Sequence, residues 1–333
     1  MIEQSENLLE VEGLRTYFYS SRGIIRAADD VSFKVRKGEI LGIAGESGAG
    51  KTVIALSILR LIPYPGRVVS GKILYKGENL LEKPLAEMVK VRGAEIGMIF
   101  QDPMSSLNPV FTIGDQITSG IRVHRKFSRE KARAEAVAML KRVHIPDPER
   151  RIDAYPHEFS GGMKQRVMIA LALSCHPNLL IADNPTTALD STIQLQFLNL
   201  IQDLRGEFGM TILYITHDFG IAARLCDRIA VLYAGEVIEI GSVFTVLKDP
   251  RHPYTKRLIE SSPVPGMHGK KIEAIEGKQP DLAFLPPGCR FAPRCKFVRS
   301  GCVEGEPELV ETGTGKESHG VRCILYKGNR VVF

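Results

Sequence analysis

The chain has 333 residues, of which 44% are hydrophobic and 25% are charged. This is ordinary globular composition, which does not predict disorder, and the length is sufficient for more than one folded domain. Lys and Arg exceed Asp and Glu by 44 − 38 = 6 residues, a weak positive surplus for a chain of this size.

The densest basic stretch, residues 124–151, does not indicate nucleic-acid binding. It also contains Glu130, Glu135 and Glu149. Mixed charges of this kind are typical of a solvated helix face rather than of a groove that follows phosphates. We therefore expect no nucleic-acid partner.

The sequence predicts neither a membrane span nor a signal peptide. The longest apolar runs, around residues 53–62 and 167–175, are shorter than the ~20 residues that a spanning helix needs. The first residues, MIEQSENLLE, lack the basic and apolar regions of a signal peptide. We expect a cytosolic chain, unless another protein holds it at a membrane.

The N-terminal segment predicts a small antiparallel sheet. In residues 8–40 the alternating runs LLEVEGL and VSFKV are separated by the turn-prone SSRG. Residues 40–44 then predict a buried strand. From residue 8 to about 241 strand-like and helix-like segments alternate, which predicts an α/β core with a mostly parallel sheet.

A helix-rich segment follows, and we expect it to form a helical subdomain at about residues 102–165. Within it Ser128 is a predicted helix cap. The apolar residues of that helix share one face, and they are Ala132, Ala136, Met139, Leu140 and Val143.

Residues 178–182 and 210–216 predict two further apolar strands. Asp190 can cap the helix between them, which we expect to end near residue 205. Beyond residue 241 the chain becomes rich in Pro, Gly and Cys.

Residues 45–52 read GESGAGKT and match the phosphate-binding loop G-x-x-x-x-G-K-[ST] between a strand and a helix. In such a loop the glycines let backbone N–H groups surround the phosphates, Lys51 reaches the β- and γ-phosphates, and Thr52 binds Mg²⁺. A glycine-rich turn without a ligand explains these flanks less well. The predicted nucleotide contacts are Gly45, Glu46, Ser47, Gly48, Ala49, Gly50, Lys51 and Thr52.

Two further segments complete the pattern. Asp183, at the end of the strand NLLIA, suits a second Mg²⁺ ligand, although a lone Asp there is more often a turn residue. Residues 159–166, FSGGMKQR, precede it. In this order the motifs resemble the ATP-binding cassette (ABC) ATPases from about residue 8 to 241. The resemblance implies a RecA-like P-loop NTPase core with an N-terminal antiparallel β-subdomain and a helical subdomain.

The same resemblance implies roles for other residues. Family members enclose two ATP molecules between head-to-tail subunits, so Ser160, Gly161 and Gly162 would bind the γ-phosphate held by the opposite subunit, and Gln165 is a further nucleotide contact. The remaining assignments are the adenine-stacking Phe18 beside Tyr17 and Tyr19, the Q-loop residue Gln101, also near Mg²⁺, the D-loop at residues 188–190 with Asp190, and the switch histidine His217.

The sequence departs from the family at Asn184, where a catalytic Glu usually follows the strand-end Asp. An amide cannot accept the proton of the attacking water, and loss of a general base typically costs about 10²–10⁴-fold in rate. We therefore expect tight ATP binding and slow hydrolysis, with Lys51, Gln101 and His217 as the other catalytic candidates. An engineered trap and a naturally degenerate site in a heterodimer remain alternative explanations.

Four cysteines in the last part of the chain predict a metal centre, because a cytosolic protein should not depend on disulfides. They are Cys289, Cys295, Cys302 and Cys323. Their spacing slightly disfavours zinc. The strings HPYT and PPGCRFAPRC resemble the C-terminal region of oligopeptide/dipeptide ABC importers, in which this set can ligate a [4Fe–4S] cluster. We expect such a cluster in a structural role, with zinc or free thiols as alternatives.

Taken together, the resemblance implies the ATPase subunit of a di- or oligopeptide importer, with an ABC domain at residues 1–250 and a cysteine-rich extension at 251–333. Its implied partners are a second ABC subunit in a homodimer or heterodimer, two transmembrane permease subunits and an extracytoplasmic solute-binding protein. It would lie peripherally at the cytoplasmic face of the inner membrane. Alternatives are a non-hydrolysing regulatory module, a soluble ABC ATPase of DNA repair or translation, and an iron–sulfur redox protein.

Overall fold

The computed structural model describes residues 7–102, 106–187, 190–261, 275–312, 318–327 and 330–331. The chain divides into two compact units. The first consists of Met1–Leu81 and Tyr214–Phe333, and the second of Glu82–Leu213. Within the described ranges, every helix is too short or too polar to cross a bilayer.

Strands and helices alternate through both units. The first unit begins with β1 (Asn7–Ser20), β2 (Gly23–Arg36), β3 (Ile40–Ala44), α1 (Lys51–Ile58), β4 (Gly66–Tyr75) and β5 (Glu78–Asn79). The second unit contains α2 (Leu85–Val91), β6 (Ile96–Ile99), α3 (Ile113–Arg125), α4 (Arg129–Arg142), α5 (Pro148–Arg151), a 3-10 turn (Pro156–Glu158), α6 (Gly161–Leu173), β7 (Leu179–Asp183) and α7 (Ser191–Phe208).

Strand β8 (Thr211–Thr216) includes the point where the units divide, and the first unit then continues to the end of the chain. Its remaining elements are α8 (Phe219–Leu225), β9 (Arg228–Tyr233), β10 (Glu236–Ser242), α9 (Val243–Lys248), α10 (Pro253–Glu260), a 3-10 turn (Ala292–Arg294), α11 (Gly301–Glu304), β11 (Val310–Thr312), β12 (His319–Val321), β13 (Tyr326–Lys327) and β14 (Arg330–Val331).

The N-terminal strands form the predicted antiparallel sheet, in the order β2-β1-β4-β5. Strands β1 and β2 are joined by the predicted turn, with Ser20 paired to Gly23. Leu9 and Val11, two residues apart, are buried because alternate residues of a strand point to the same face. The sequence prediction for this segment is confirmed.

The first unit also contains strands in the order β11-β12-β10-β9-β3. Strand β3 runs parallel to β9, whereas β9, β10, β12 and β11 pair antiparallel. Every residue of β3 is buried. This explains why residues 40–44 read as a continuous apolar run rather than an alternating one, and it confirms the predicted strand.

In the second unit, local sequence signals fixed the helix ends. The Ser128 hydroxyl accepts a hydrogen bond from Lys131 N, and α4 buries the predicted apolar face. Asp190 caps α7, as predicted. That helix ends at Phe208 rather than near residue 205, because Gly209 adopts the left-handed conformation (φ 61°) that closes a helix. Strand β6 is parallel to β7.

The chain beyond α9 is attached to the rest of the first unit by buried charged groups. Glu239 is fully buried and accepts hydrogen bonds from Arg251 N at 2.8 Å and His252 N at 2.9 Å. Its Oε1 also lies 2.7 Å from His319 Nε2. The Arg290 guanidinium contacts Asp29 at 2.7 Å and Glu236 at 3.0 Å. Buried polar and charged groups require such partners, so these contacts determine how the segment packs.

His252 gives the first unit a pH-dependent stability. Its Nδ1 accepts the N–H of Tyr254 and so caps α10, and the side chain is almost fully buried. Burial lowers the pKa of His252 from 6.5 to about 4, although the Glu239 charge acts in the opposite direction. Because the folded pKa is depressed, the neutral ring stabilises the fold above pH 6.5. This stabilisation is lost as the pH falls toward 4.

We expect His252→Asn, which retains a capping acceptor, to be less stable at neutral pH but less sensitive to acid. The difference in unfolding free energy between wild type and variant should shrink by about 3 kcal/mol at most on acidification. Urea unfolding at intervals from pH 7.5 to 4.5 measures this difference. Parallel pH profiles for the two proteins would contradict the assignment.

Candidate functional site

The glycines of the loop at residues 45–52 occupy conformations that other residues avoid. Gly48 and Gly50 have φ of 82° and 102°. A Cβ at Gly50 would lie 1.9 Å from the carbonyl oxygen of Ala27, and one at Gly45 would lie 2.2 Å from that of Leu232. The backbone of neighbouring strands therefore approaches the loop too closely for any side chain at these two positions.

Hydrogen bonds fix the loop to the strands around it. Gly235, in the turn between β9 and β10, donates its N–H to Ala49 O at 2.9 Å and accepts the N–H of Asp29 through its own carbonyl at 2.9 Å. The loop, this turn and β2 are thus connected through backbone groups. The hydroxyls of Thr16 in β1 and Ser57 in α1, both fully buried, lie 2.8 Å apart.

Lys51 lies at the centre of the loop. Its Nζ donates to the carbonyl oxygens of Gly45 at 2.7 Å and Glu46 at 2.8 Å, and only 5% of the residue is exposed. Helix α1 begins at Lys51, with Thr52 in its first turn. The N-terminus of a helix favours an anion. The ammonium, the helix start and the surrounding backbone therefore form a site suited to phosphate groups.

Residues from the C-terminal part of the chain also contact the loop. Arg294 forms a paired contact with the Glu46 carboxylate, Gln279 donates to the same carboxylate, and Glu46 N donates to Tyr254 Oη. Sequence reasoning did not identify these three partners. The available signal was Glu46 itself, because an acidic side chain within a phosphate-binding motif requires a nearby cation.

The other predicted residues of the first unit, Phe18 and His217, are placed differently. Phe18 is half-buried in β1, and its ring lies against Gly66 of β4, where a Cβ would be 2.5 Å from the ring. The contact of Phe18 with adenine stays a prediction. His217 is exposed between β8 and α8.

In the second unit the end of β7 brings Asp183 and Asn184 together. Asp183 is 2% exposed, and Asn184 Nδ2 donates to Asp183 Oδ1 at 3.1 Å. Asn184 has φ 44°, a left-handed conformation that Asn tolerates better than most residues. The Asn184 amide therefore donates a hydrogen bond to Asp183. A carboxylate at residue 184 would instead be repelled by the Asp183 carboxylate.

The segment FSGGMKQR forms the start of α6. Ser160 is its N-cap, and its hydroxyl accepts the N–H of Met163 at 3.4 Å. Ser160 and Gly161 are exposed at this helix start, and Gly162 is half-buried. Gln165 is instead buried, and its amide donates to the carbonyl of Pro185, next to Asn184.

Gln101 and Asp190, the last two predicted residues of the second unit, are exposed. Gln101 follows β6. Asp190 Oδ1 accepts the N–H groups of Thr192 and Ile193, each at 3.0 Å. Ala188 and Leu189, the rest of the predicted D-loop, lie outside the described residues.

The expected [4Fe–4S] cluster is wrong. All four cysteines lie in described parts of the chain and are free. Within those parts no three His, Cys, Asp or Glu side chains are grouped so that they could hold a metal ion. Burial is the main cause that raises the pKa of Cys289 and Cys323, each to about 11.

The zinc alternative and the iron–sulfur redox interpretation fail for the same reason. Four cysteines close in sequence predict a shared region, but within the described parts of the chain no three of them are grouped as metal ligands. In the structure Cys302 and Cys323 are buried, whereas Cys289 and Cys295 are partly exposed. The residues present do not fit either metal.

Comparison with known proteins identifies the family. The ABC transporter profile matches residues 28–187, and the profile named "Oligopeptide/dipeptide transporter, C-terminal region" matches residues 238–302. The chain is 48% identical over 332 residues to the probable peptide ABC transporter ATP-binding protein y4tR of Sinorhizobium fredii, covering 99% of this chain and 97% of that protein. The chain belongs to the ABC transporter family of ATP-binding proteins.

Other relatives agree with this assignment. The oligopeptide transport ATP-binding protein AppD of Bacillus subtilis is 46% identical over 321 residues, covering 96% of this chain and 97% of that protein. Among solved structures, a post-hydrolysis dimer of the ATP-binding cassette MJ0796 bound to ADP and Pi aligns with a TM-score of 0.64 at 28% identity. The alignment covers 71% of this chain and 98% of that one, so the ABC ATPase fold is confirmed.

The loop geometry predicts different costs for two glycine substitutions. Gly50→Ala places a methyl group against the Ala27 carbonyl and should destabilise the first unit by about 3 kcal/mol or more. Gly48 has a positive φ, and nothing among the described residues lies within 4 Å of the Cβ that Gly48→Ala would add. It should therefore cost only about 1–2 kcal/mol of backbone strain.

Urea unfolding of both variants beside wild type measures these costs. Equal destabilisation would mean that the close approach of Ala27 does not constrain the loop.

Proposed function

We propose that this chain is the ATP-binding and ATP-hydrolysing subunit of an ABC transporter that imports di- or oligopeptides. The observation that carries the proposal is the similarity to peptide ABC transporter ATP-binding proteins along almost the whole chain, at 48% identity over 332 residues. It includes the C-terminal region characteristic of oligopeptide and dipeptide transporters. The phosphate-compatible geometry around Lys51 supports it.

In this function the loop at residues 45–52 binds the triphosphate of ATP, with Phe18 against the adenine. Thr52, Gln101 and Asp183 supply the hydroxyl, amide and carboxylate oxygens that Mg²⁺ prefers, and when bound the ion neutralises phosphate charge. The helix start at Ser160, Gly161 and Gly162 serves the nucleotide of a second subunit, and Gln165 and Asp190 stay predicted nucleotide contacts. His217 is the switch histidine of the catalytic site.

The implied assembly contains a second, homologous ABC subunit, two membrane permease subunits and an extracytoplasmic solute-binding protein. The chain acts at the cytoplasmic face of the membrane, where closure around ATP moves the permeases. We assign residues 1–250 to the ATP-binding domain, with a helical subdomain near 102–165, and residues 251–333 to the peptide-transporter extension.

Lys51→Ala should abolish measurable Mg-ATP binding, because it removes the cation at the centre of the loop. Isothermal titration calorimetry of the full chain measures the affinity, and Lys37→Ala, an exposed lysine on the same unit, is the matched control. Unchanged binding in Lys51→Ala, or no binding by the wild type, refutes the proposed function.

Asn184 should make hydrolysis slow, because its amide can orient water but cannot accept a proton. Asn184→Glu restores a general base and should accelerate phosphate release by about 10²-fold or more. Asn184→Gln, which keeps an amide, should stay near the wild-type rate.

Phosphate release at saturating Mg-ATP, measured with the partner subunits present, tests this. If Asn184→Glu and Asn184→Gln release phosphate at the same rate, then residue 184 does not limit hydrolysis. If neither variant nor wild type turns over while all bind ATP, the chain is a non-hydrolysing ATP-binding module.

A further inference from the structure

The phosphate-binding loop is held from behind by the C-terminal extension. Arg294 Nη1 lies 2.9 Å from Glu46 Oε2, and its Nη2 lies 3.2 Å from Oε1, which is a bidentate arrangement. Gln279 Nε2 donates to the same carboxylate at 2.8 Å. Glu46 N donates to Tyr254 Oη at 3.0 Å. Three residues more than 200 positions away in sequence therefore bind one residue of the loop.

The Arg294 guanidinium is also held by contacts other than its contact with Glu46. Its side chain is only 5% exposed. Nε donates to Glu276 O at 2.9 Å, and Nη2 also donates to Ile275 O at 3.3 Å. A guanidinium whose other donors are already satisfied loses little rotational freedom when it binds a carboxylate. The contact is therefore more than an exposed surface ion pair.

Glu46 in turn determines the shape of the loop. Its carbonyl accepts the N–H of Ala49 at 3.2 Å and the Lys51 ammonium at 2.8 Å. Both groups belong to the turn that would surround a phosphate. Movement of Glu46 would displace its carbonyl oxygen, which accepts both of the hydrogen bonds that hold this turn.

The charge of Glu46 also has to be balanced. Burial alone would raise the pKa of this carboxyl, but hydrogen bonds from Arg294 and Gln279 outweigh burial, so the pKa is lowered and the group stays ionised. An unbalanced carboxylate beside bound phosphates would repel them. Arg294 supplies the compensating charge without occupying the loop.

We propose that Arg294, supported by Gln279 and Tyr254, is a positioning residue for ATP binding. It holds Glu46 so that the loop keeps its anion-binding shape, and it neutralises a charge that would otherwise repel the triphosphate. The extension thereby sets the nucleotide affinity of the ATP-binding domain. This inference rests on the proposed function, because it assumes that the loop binds ATP.

A residue that only attached the extension to the rest of the unit would not affect the loop specifically, and the chain offers a matched control for such a role. Arg322 also belongs to the extension and is largely buried, and it joins the extension to Asp30 at 3.3 Å. Within the described residues its side chain donates hydrogen bonds to Val237 O, Pro307 O and Asp30, none of which belongs to the loop. Loss of either arginine should loosen the extension, but only loss of Arg294 should alter the position and the charge balance of Glu46.

Mg-ATP affinity and thermal stability of the full chain are measured for wild type, Arg294→Gln, Arg294→Lys and Arg322→Gln. Arg294→Gln should raise the Kd about tenfold, whereas Arg294→Lys should raise it by about threefold or less because the charge is retained. Arg322→Gln should lower the Tm but leave the Kd within about twofold of wild type. In a Glu46→Gln background, where the charge to be balanced is gone, Arg294→Gln should weaken binding much less.

The outcomes separate this inference from the proposed function. If wild type binds Mg-ATP and Arg294→Gln binds equally well, then the inference is wrong while the proposed function stands. Equal loss of affinity in Arg294→Gln and Arg322→Gln also overturns it, because the effect would then come from a loosened extension. Should Arg294→Gln not fold, the effect of adding Arg294→Gln to Glu46→Gln decides the question. A large further loss of Mg-ATP affinity there would overturn the inference, because the charge that Arg294 balances is already absent.

Discussion

The close approach of the Ala27 carbonyl to Gly50 is the constraint around which the first unit is arranged. It places β2 directly beside the loop, and Gly235 joins both through backbone hydrogen bonds. With the loop fixed on this side, Lys51 is enclosed by carbonyl oxygens and α1 starts at a defined position. The phosphate site is therefore a property of packed backbone more than of individual side chains.

Much of the architecture was predictable because its signals are local. An unbroken apolar run identified β3, and single capping residues identified the starts of α4 and α7. The loop motif is similarly local, since glycine is the residue that readily adopts the positive φ found at Gly48 and Gly50. In each case the residues that cause the structure lie within a few positions of it.

The rest was not predictable, because it depends on contacts between distant residues. Glu46 and Arg294 are separated by 248 positions, and neither residue type in isolation indicates its partner. Gln165 belongs to a ligand-binding motif in sequence, yet its amide is buried against Pro185. The cysteine prediction failed for a related reason, since spacing along the chain does not determine whether the thiols of the described residues are grouped as metal ligands.

The buried pairs that attach the extension make it inseparable from the rest of the first unit. Asp29, Glu236 and Glu239 lie in the ATP-binding part of the chain, while Arg290 and His319, which contact them, lie in the extension. A lineage that lost the extension would leave Glu236 and Glu239 buried without these partners, whereas Asp29 would keep its contacts with Arg15 and Arg26. Ancestral gain or deletion of this segment therefore requires compensating substitutions at Glu236 and Glu239.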